Sequence, residues 1–148
     1  EWWTIPAEHA KNGLAHRVPL SLQARVEIDA MGNRSQTVGW VFRSSRQDGP
    51  FVSNWRSIGR IRRHSGVDFV MHDLRRTAAS RMTGDLGVNR LTVSKILNHV
   101  ESGVTSVYDR HSYDAEKRQA LDAWGRRLEQ IISDESTADE TVVPLRSG

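Results

Sequence analysis

The sequence predicts a mainly α-helical domain that begins with one small β-hairpin. Two observations favour this fold class. Short β-like runs, Trp2–Ile5 and Arg17–Leu20, flank an Asn12-Gly13 pair, and Asn-Gly is the strongest short turn signal between strands. From Ser53 onward, apolar residues recur every three or four positions, as they do along one face of an α-helix. A chain of 148 residues is long enough to bury one hydrophobic core.

Capping signals and apolar stripes predict five helices after the hairpin. Ser21 and Asn89 are expected N-caps, because their side-chain oxygens can accept hydrogen bonds from the first helical turn. Gly66 is expected to end the second helix. The acidic, polar residues 134–148 are expected to form a disordered tail. The predicted helices run from Ser21 to Gly32, Ser53 to Gly66, Met71 to Leu86, Asn89 to Val100 and Asp114 to Ile132.

Composition narrows the class of protein. The absence of cysteine excludes disulfides and thiolate metal sites. No apolar run approaches the length of a membrane span and no signal-peptide pattern opens the chain, so a cytoplasmic protein without a membrane partner is expected. The net charge is +3, and eighteen arginines stand against three lysines. Because the guanidinium fork matches phosphate oxygens, this bias favours a polyanionic partner.

The segment from His72 to Thr77, which reads HDLRRT, concentrates charged groups in a predicted helix. His72 and Arg75 are separated by three positions, so both side chains lie on one helix face. An imidazole beside a guanidinium near a helix N-terminus suits the binding of a phosphate oxygen. Arg76, four positions after His72, is an equally placed alternative by helix geometry alone. A capping histidine beside a surface arginine is the structural alternative.

Two further motifs follow this segment. Leu97-Asn98-His99 ends the apolar helix, and Tyr108 follows nine residues after His99 in the sequence TSVY. The order of a turn lysine, HDLRRT, LNH and TSVY resembles the tyrosine recombinase, or phage integrase, family. The resemblance extends to about Ile132. Each element alone is weak, whereas the ordered set is specific. It implies that residues 1–133 are the C-terminal portion of an integrase catalytic domain.

The resemblance implies a role for five residues. Tyr108 would attack the scissile DNA phosphate, forming a 3′-phosphotyrosyl link and freeing a 5′-hydroxyl. His72 and Arg75 would hold the non-bridging oxygens, and His99 would hydrogen-bond the same phosphate. Lys11 would act as general acid toward the departing 5′-oxygen. No metal, ATP or other cofactor is expected, because cationic side chains take the place of metal ions and the covalent link conserves the bond energy.

Three features depart from the family pattern or leave alternatives open. The pattern has another phosphate-binding arginine upstream of the hairpin, whereas no arginine precedes Arg17 here. Since the chain also lacks an initial Met, we expect an N-terminally truncated fragment that is inactive alone. Asn98 stands where glycine is commoner in the family. Tyr113, the other tyrosine, is expected to pack or cap at the entrance to the last helix.

Additional arginines are candidate contacts to double-stranded DNA. Arg56, Arg60 and Arg63 recur at spacings of four and three on one face of the second helix. Such a row is usually a solvated face, but in a DNA enzyme it can position the duplex through its phosphates. Arg76 is a further candidate for this role.

The resemblance also bears on partners and on competing functions. It implies self-association as a tetramer on DNA, in a bacterial or phage-encoded enzyme that integrates or excises a mobile element. The last helix, with its stripe from Leu121 to Ile131, could cover its own core or dock on a neighbouring protomer. A type IB topoisomerase is a competing enzyme class, although its core is much larger. A non-catalytic DNA-binding or regulatory module with the same fold is the alternative from another class.

Four other histidines show no metal-ligand spacing. They are scattered along the chain, and no pair has the separation of four residues or the short loop that zinc sites use. We therefore expect these side chains at the surface: His9, His16, His64 and His111.

Overall fold

The computed structural model describes residues 1–31, 39–44, 48–52, 54–99 and 111–135. This part of the chain is mainly helical, with five α-helices and one two-stranded antiparallel sheet, which confirms the predicted fold class at this level. No helix in these ranges combines the length and the apolar character that crossing a lipid bilayer requires.

The N-terminal sheet is the predicted hairpin. Strand β1, Trp2–Ile5, pairs antiparallel with strand β2, His16–Pro19, so that β2 begins and ends one residue before its predicted bounds. The connection between the strands is longer than a tight two-residue turn. It contains a short 3-10 helix, Ala7–His9, and then a turn that includes Asn12 and Gly13.

The capping signals mark the helix ends as predicted. The Ser21 hydroxyl accepts a hydrogen bond from the Ala24 N–H at 3.2 Å, and the Asn89 side chain accepts one from the Leu91 N–H at 2.8 Å. Gly66 ends the second helix in the left-handed conformation, with φ of 68°. The helices are α1, Leu22–Ala30; α2, Trp55–Ser65; α3, Met71–Gly84; α4, Arg90–Ile96; and α5, Asp114–Glu135.

Several of these bounds differ from the sequence prediction. Helix α4 ends at Ile96 rather than at Val100, because Asn98 leaves the helical conformation with φ of 54°. Helix α3 ends at Gly84 rather than near Leu86, because Gly87 turns the chain in the left-handed conformation with φ of 64°. Helix α5 continues past Ile132 into the first acidic residues of the predicted tail. The rest of that tail, 136–148, lies outside the described residues.

Helix α5 is the central element of the described fold. Strand β2 and helices α1, α3 and α4 all pack against it, and α3 also packs against α4. Within the described ranges, the buried apolar side chains include Met82 of α3, Val93 of α4 and Ala120 of α5. In these contacts α5 covers a core of its own chain through Ala120, whereas Leu128 of the predicted apolar stripe is 41% exposed.

The segments that surround α2 have a different character. Helix α2 contains no buried residue, although its apolar positions follow the helical period. We call the described residues from 39 to 70 the α2 region. Its large exposed apolar side chains include Trp40, Phe42, Phe51, Trp55 and Ile61.

Candidate active site

The C-terminus of α4 is fixed by a Schellman motif. The Asn98 N–H donates to the Lys95 carbonyl at 3.2 Å, and the His99 N–H donates to the Ser94 carbonyl at 3.1 Å. Asn98 has φ of 54°, in the left-handed region that glycine adopts most easily and asparagine more readily than most other residues. This conformation explains why asparagine can replace the glycine expected here, and it fixes the backbone of His99.

Lys11 lies in a hydrogen-bonded turn of the hairpin connection. The Gly13 N–H donates to the Ala10 carbonyl at 2.9 Å, which leaves Lys11 and Asn12 as the two central residues. The Asn12 Oδ1 accepts a hydrogen bond from the Leu14 N–H at 3.1 Å, as asparagine commonly does in turns. The Lys11 side chain itself is exposed.

The lysine turn lies directly against the end of α4. The Asn12 Nδ2 donates to the Asn98 side-chain oxygen at 3.1 Å and lies 3.3 Å from the Asn98 main-chain oxygen. These two asparagines directly follow Lys11 and directly precede His99 in the chain. The contact therefore holds the turn that carries Lys11 against the segment that carries His99.

Helix α3 supplies a further cation, Arg75, to the end of α4. The Asp73 carboxylate caps the start of α3 by accepting a hydrogen bond from the Val70 N–H at 2.9 Å. Arg75, one turn into the helix, donates from its guanidinium to the Leu97 carbonyl at the end of α4. His72 lies in the first turn of α3 and is exposed. The positive end of the α3 dipole favours an anion beside this histidine.

Three elements thus meet at Leu97–His99: the hairpin turn with Lys11, helix α3 through Arg75, and the end of α4 with His99. The candidate side chains on these elements are exposed hydrogen-bond donors, which is what the predicted binding of a phosphate would require. The structure does not describe residues 100–110. The place of Tyr108 relative to the other groups therefore stays a prediction.

A cleft of about 420 Å³ lies beside His99, between the hairpin turn, α4 and the start of α5. Its wall carries mostly polar and basic side chains, so that it favours a polar, negatively charged occupant. Its lining includes Asn12, His16, Lys95, Asn98, His99, His111, Tyr113 and Lys117.

Tyr113 lies immediately before α5, as the sequence predicts. Its carbonyl accepts the first helical hydrogen bond, from the Lys117 N–H at 2.9 Å. Its ring packs edge-on against His111 at 4.6 Å between centroids, and the Lys95 ammonium lies 5.2 Å from its centroid. Its φ of 55° is uncommon for a bulky residue. Tyr113 thus packs within the described fold.

His16 corrects one prediction, because it is buried rather than at the surface. Its Nε2 lies 3.1 Å from the Ile96 carbonyl, which can only accept, so this nitrogen carries the proton. Burial lowers the pKa of His16 below its usual value of 6.5; the hydrogen bond to Ile96 opposes this shift, and the charges of Lys117 and Arg75 reinforce it. His16 therefore links β2 to α4 as a neutral side chain.

Lys117 anchors the hairpin to α5 from a buried position. Its ammonium pairs with Asp114 at 3.0 Å and donates to the Arg17 carbonyl at 3.0 Å. The Arg17 guanidinium also pairs with Asp114, at 3.3 Å. It stacks over the Trp2 ring at 4.4 Å from the centroid. These contacts hold both strands of the hairpin to the start of α5.

The remaining histidines are exposed, as expected. His64 donates from Nδ1 to the Arg60 carbonyl at 2.9 Å, and His111 donates from Nε2 to Glu116 at 2.6 Å. The pKa of Glu116 is lowered, first by its hydrogen bond to a backbone N–H and then by the bond from His111. Among the described residues, no group of three or more His, Asp or Glu side chains is arranged to hold a metal ion.

The candidate DNA-contact arginines form an exposed row on α2. Arg76 is exposed too, and it pairs weakly with Asp73 at 3.8 Å. It therefore differs from Arg75, which contacts α4, and this separates two residues that helix geometry alone leaves equivalent. The row consists of Arg56, Arg60 and Arg63.

Sequence reasoning missed the residues that join these elements. Asn12, His16 and Lys117 form contacts that span eighty residues or more of the chain. A weak signal existed for His16, since strand residues alternate between faces and the neighbouring Arg17 is exposed. No local pattern marks Lys117 as buried.

Comparison with known families assigns the chain to a class. A sequence profile of the phage integrase family matches residues 1–115, a range that includes all five predicted catalytic residues. The chain therefore belongs to the phage integrase family, the tyrosine recombinases, which act on DNA in site-specific recombination. No curated protein and no solved structure gives a significant match to it.

Proposed function

We propose that this chain provides most of the catalytic site of a recombinase that cleaves and rejoins DNA through a 3′-phosphotyrosyl intermediate. The recombination reaction would integrate or excise a mobile element. One observation carries the proposal: the turn that contains Lys11 and the guanidinium of Arg75 both contact the end of α4. His99 lies at this end, and the proposed nucleophile Tyr108 follows it by nine residues. The binding of one phosphate by Lys11, Arg75 and His99 would explain why these residues, far apart in the sequence, lie on segments that contact each other.

Each group has a defined task in this reaction. The phenolate of Tyr108 forms a bond to phosphorus, and the bond from phosphorus to the 5′-oxygen breaks. The Lys11 ammonium gives a proton to that oxygen, which leaves as a 5′-hydroxyl. Arg75, His72 and His99 donate hydrogen bonds to the non-bridging oxygens, on which negative charge accumulates in the transition state. Rejoining is the same sequence in reverse.

A nicked suicide substrate tests the nucleophile. Its cleaved strand releases a short fragment that diffuses away, so the protein stays joined to DNA as a band of lower mobility. In an active recombinase containing this chain, Tyr108→Phe should abolish the covalent band and leave DNA binding nearly unchanged. Tyr113→Phe is the matched control and should retain the band. Loss of the band in Tyr113→Phe, with retention in Tyr108→Phe, would show that the assignment is wrong.

The same assay separates this function from a non-catalytic DNA-binding module, because a module without chemistry leaves no covalent band. We also expect the 148 residues by themselves to trap negligible DNA, since the family's further phosphate-binding arginine has no counterpart before Arg17. Efficient trapping by the 148-residue chain would contradict that expectation. Assembly as a tetramer on DNA is part of the proposal.

A further inference from the structure

The contact between Asn12 and Asn98 joins two residues that are 86 positions apart in the chain. We call this pair the asparagine clasp. Each member is the chain neighbour of a proposed catalytic residue, Lys11 in one case and His99 in the other. The clasp therefore links the proposed general acid to a proposed phosphate ligand through two short backbone steps.

We propose that the clasp is a positioning device, which holds the Lys11 ammonium within proton-transfer reach of the 5′-oxygen of the phosphate bound by His99. This inference rests on the proposed function and adds two positioning residues to it. Asn12 and Asn98 act through their neighbours and need no contact with DNA. Proton transfer requires hydrogen-bond reach, so a turn displaced by about 1 Å can slow it on the order of a hundredfold.

Hydrogen bonds to backbone groups order both asparagines of the clasp. On one side, the Asn12 side chain is used twice: its oxygen orders the turn through the Leu14 N–H, and its nitrogen donates to Asn98. On the other side, the left-handed conformation of Asn98 is fixed by the Schellman motif of α4. The Asn12 side chain and the Asn98 backbone are thus each held by a further hydrogen bond, which limits movement of the Lys11 turn relative to the end of α4.

Loss of the clasp should leave the protein folded. Strand β2 is anchored separately, by the bond from His16 to Ile96 and by the bond from Lys117 to the Arg17 carbonyl. The clasp lies beyond these anchors, in the connection that carries the exposed Lys11. Its removal should thus change the position of the turn rather than the packing of the hairpin.

Three substitutions separate the clasp from the turn. Asn12→Ala removes both the donor to Asn98 and the acceptor for Leu14. Asn12→Asp keeps the acceptor for Leu14 but cannot donate to Asn98, so it removes the clasp alone. Asn98→Gly keeps the left-handed backbone and the main-chain acceptor while removing the side-chain acceptor. We expect the two Asn12 variants to behave alike and Asn98→Gly to be less affected.

The readout is a pair of substrates that differ in the leaving atom. In one, the 5′-bridging oxygen of the scissile phosphate is replaced by sulfur. A thiol has a pKa of about 8.5, far below that of an alcohol, so a thiolate departs without a proton from a general acid. Single-turnover cleavage is measured at saturating DNA, in an active recombinase containing this chain, for wild type, Lys11→Ala and the three clasp variants.

We expect Asn12→Ala and Asn12→Asp to cleave the oxygen substrate about ten to a hundred times more slowly than wild type. On the sulfur substrate, both should approach the wild-type rate, as should Lys11→Ala. A purely structural defect would slow both substrates equally, and that result would overturn the positioning role. Wild-type cleavage of the oxygen substrate by Asn12→Asp would overturn it too, since the turn alone would then suffice.

The Lys11→Ala variant distinguishes failure of the clasp inference from failure of the proposed general-acid role of Lys11. If sulfur restores Lys11→Ala but neither Asn12 variant, the general acid stands and the clasp inference fails. If sulfur does not restore Lys11→Ala, the proposed role of Lys11 itself fails, and the clasp inference fails with it.

Discussion

Helices α4 and α2 both carry apolar residues at helical spacing but differ in what covers them. On α4, Val93 is 5% exposed, because α3 and α5 lie against it. On α2, Trp55 is 68% exposed and Ile61 50%, and no residue of the helix is buried. A helical period therefore shows that one face is apolar, but the period does not show whether another element covers that face.

The same contrast extends to the polar groups. At the end formed by the hairpin, the C-terminus of α4 and the N-terminus of α5, buried His16 and Lys117 join distant segments. In the α2 region, ion pairs such as that of Arg43 with Asp48 are exposed and link nearby residues. The proposed catalytic residues thus belong to the region in which buried polar contacts join the hairpin, α4 and α5.

The largest expected effect on stability concerns Asp114, the anion beside buried Lys117. Asp114→Asn keeps the shape of the side chain but leaves the Lys117 ammonium, 8% exposed, without its paired charge. We expect the free energy of unfolding to fall by about 2 kcal/mol, less than for a fully buried pair because Asp114 is partly exposed. Urea unfolding of the 148-residue chain, followed by circular dichroism, measures it.

Asp48→Asn in the α2 region is the matched control. Asp48 pairs with Arg43 at 3.1 Å, but its side chain is 91% exposed. Its substitution should change the free energy of unfolding by less than about 0.5 kcal/mol. Equal losses in the two variants would remove the energetic distinction between the regions.

A smaller effect should appear in the pH dependence of stability. Because the pKa of His16 is lowered in the folded chain, the unfolded chain binds the proton more tightly. The contribution of neutral His16 is complete above the unfolded pKa of 6.5 and is lost as the pH falls from there through the lower folded pKa. Unfolding free energies measured between about pH 7.5 and pH 5 should therefore decrease toward acid.

Substitution of His16 by Gln tests this assignment. His16→Gln keeps an N–H donor for the Ile96 carbonyl but cannot titrate, so its stability should depend less on pH in this range. His64→Gln, at an exposed position of α2, is the matched substitution outside the contact with Ile96. An unchanged pH profile in His16→Gln would contradict the burial of a neutral histidine at this position.

The smallest expected effect concerns DNA binding by the α2 region. If its arginine row contacts phosphates, Arg60→Ala should weaken binding to specific and random DNA by a similar few-fold factor. The slope of log affinity against log salt should decrease by about 0.9 in magnitude, because one fewer phosphate is neutralised. Cleavage at saturating DNA should not change, in contrast to the substitutions at Arg75 or Asn12.

Arg62→Ala is the matched control on the same helix, since Arg62 already pairs with Asp68. It should leave the salt slope closer to that of wild type. If Arg60→Ala and Arg62→Ala give the wild-type slope alike, the row is a solvated face, as the alternative interpretation of the sequence has it.

Local signals in the sequence predicted most of the fold. Ser21, Asn89 and Gly66 each mark a helix end through a hydrogen bond or a conformation that depends on neighbouring residues alone. The hairpin and the position of Tyr113 follow from similarly short patterns. The clasp and the burial of His16 could not be predicted, because they depend on where the chain returns after eighty residues or more.

The candidate site was predicted by a different route. Helix geometry did not distinguish Arg75 from Arg76, and only the spacing of the family motif selected Arg75. The structure separates them physically, since Arg75 contacts the end of α4 while Arg76 lies beside Asp73. The role of each residue in catalysis stays a prediction until it is measured.

The most direct test of the central claim is the charge that Arg75 is expected to neutralise. In Arg75→Ala, cleavage of a normal phosphodiester should slow about a hundredfold, because one donor to the transition-state oxygens is lost. A substrate with an uncharged methylphosphonate at the scissile position should restore cleavage in Arg75→Ala but not in Tyr108→Phe. If Arg75→Ala is equally slow on both substrates, Arg75 does not stabilise the phosphate charge, and the proposed cationic site at the end of α4 is wrong.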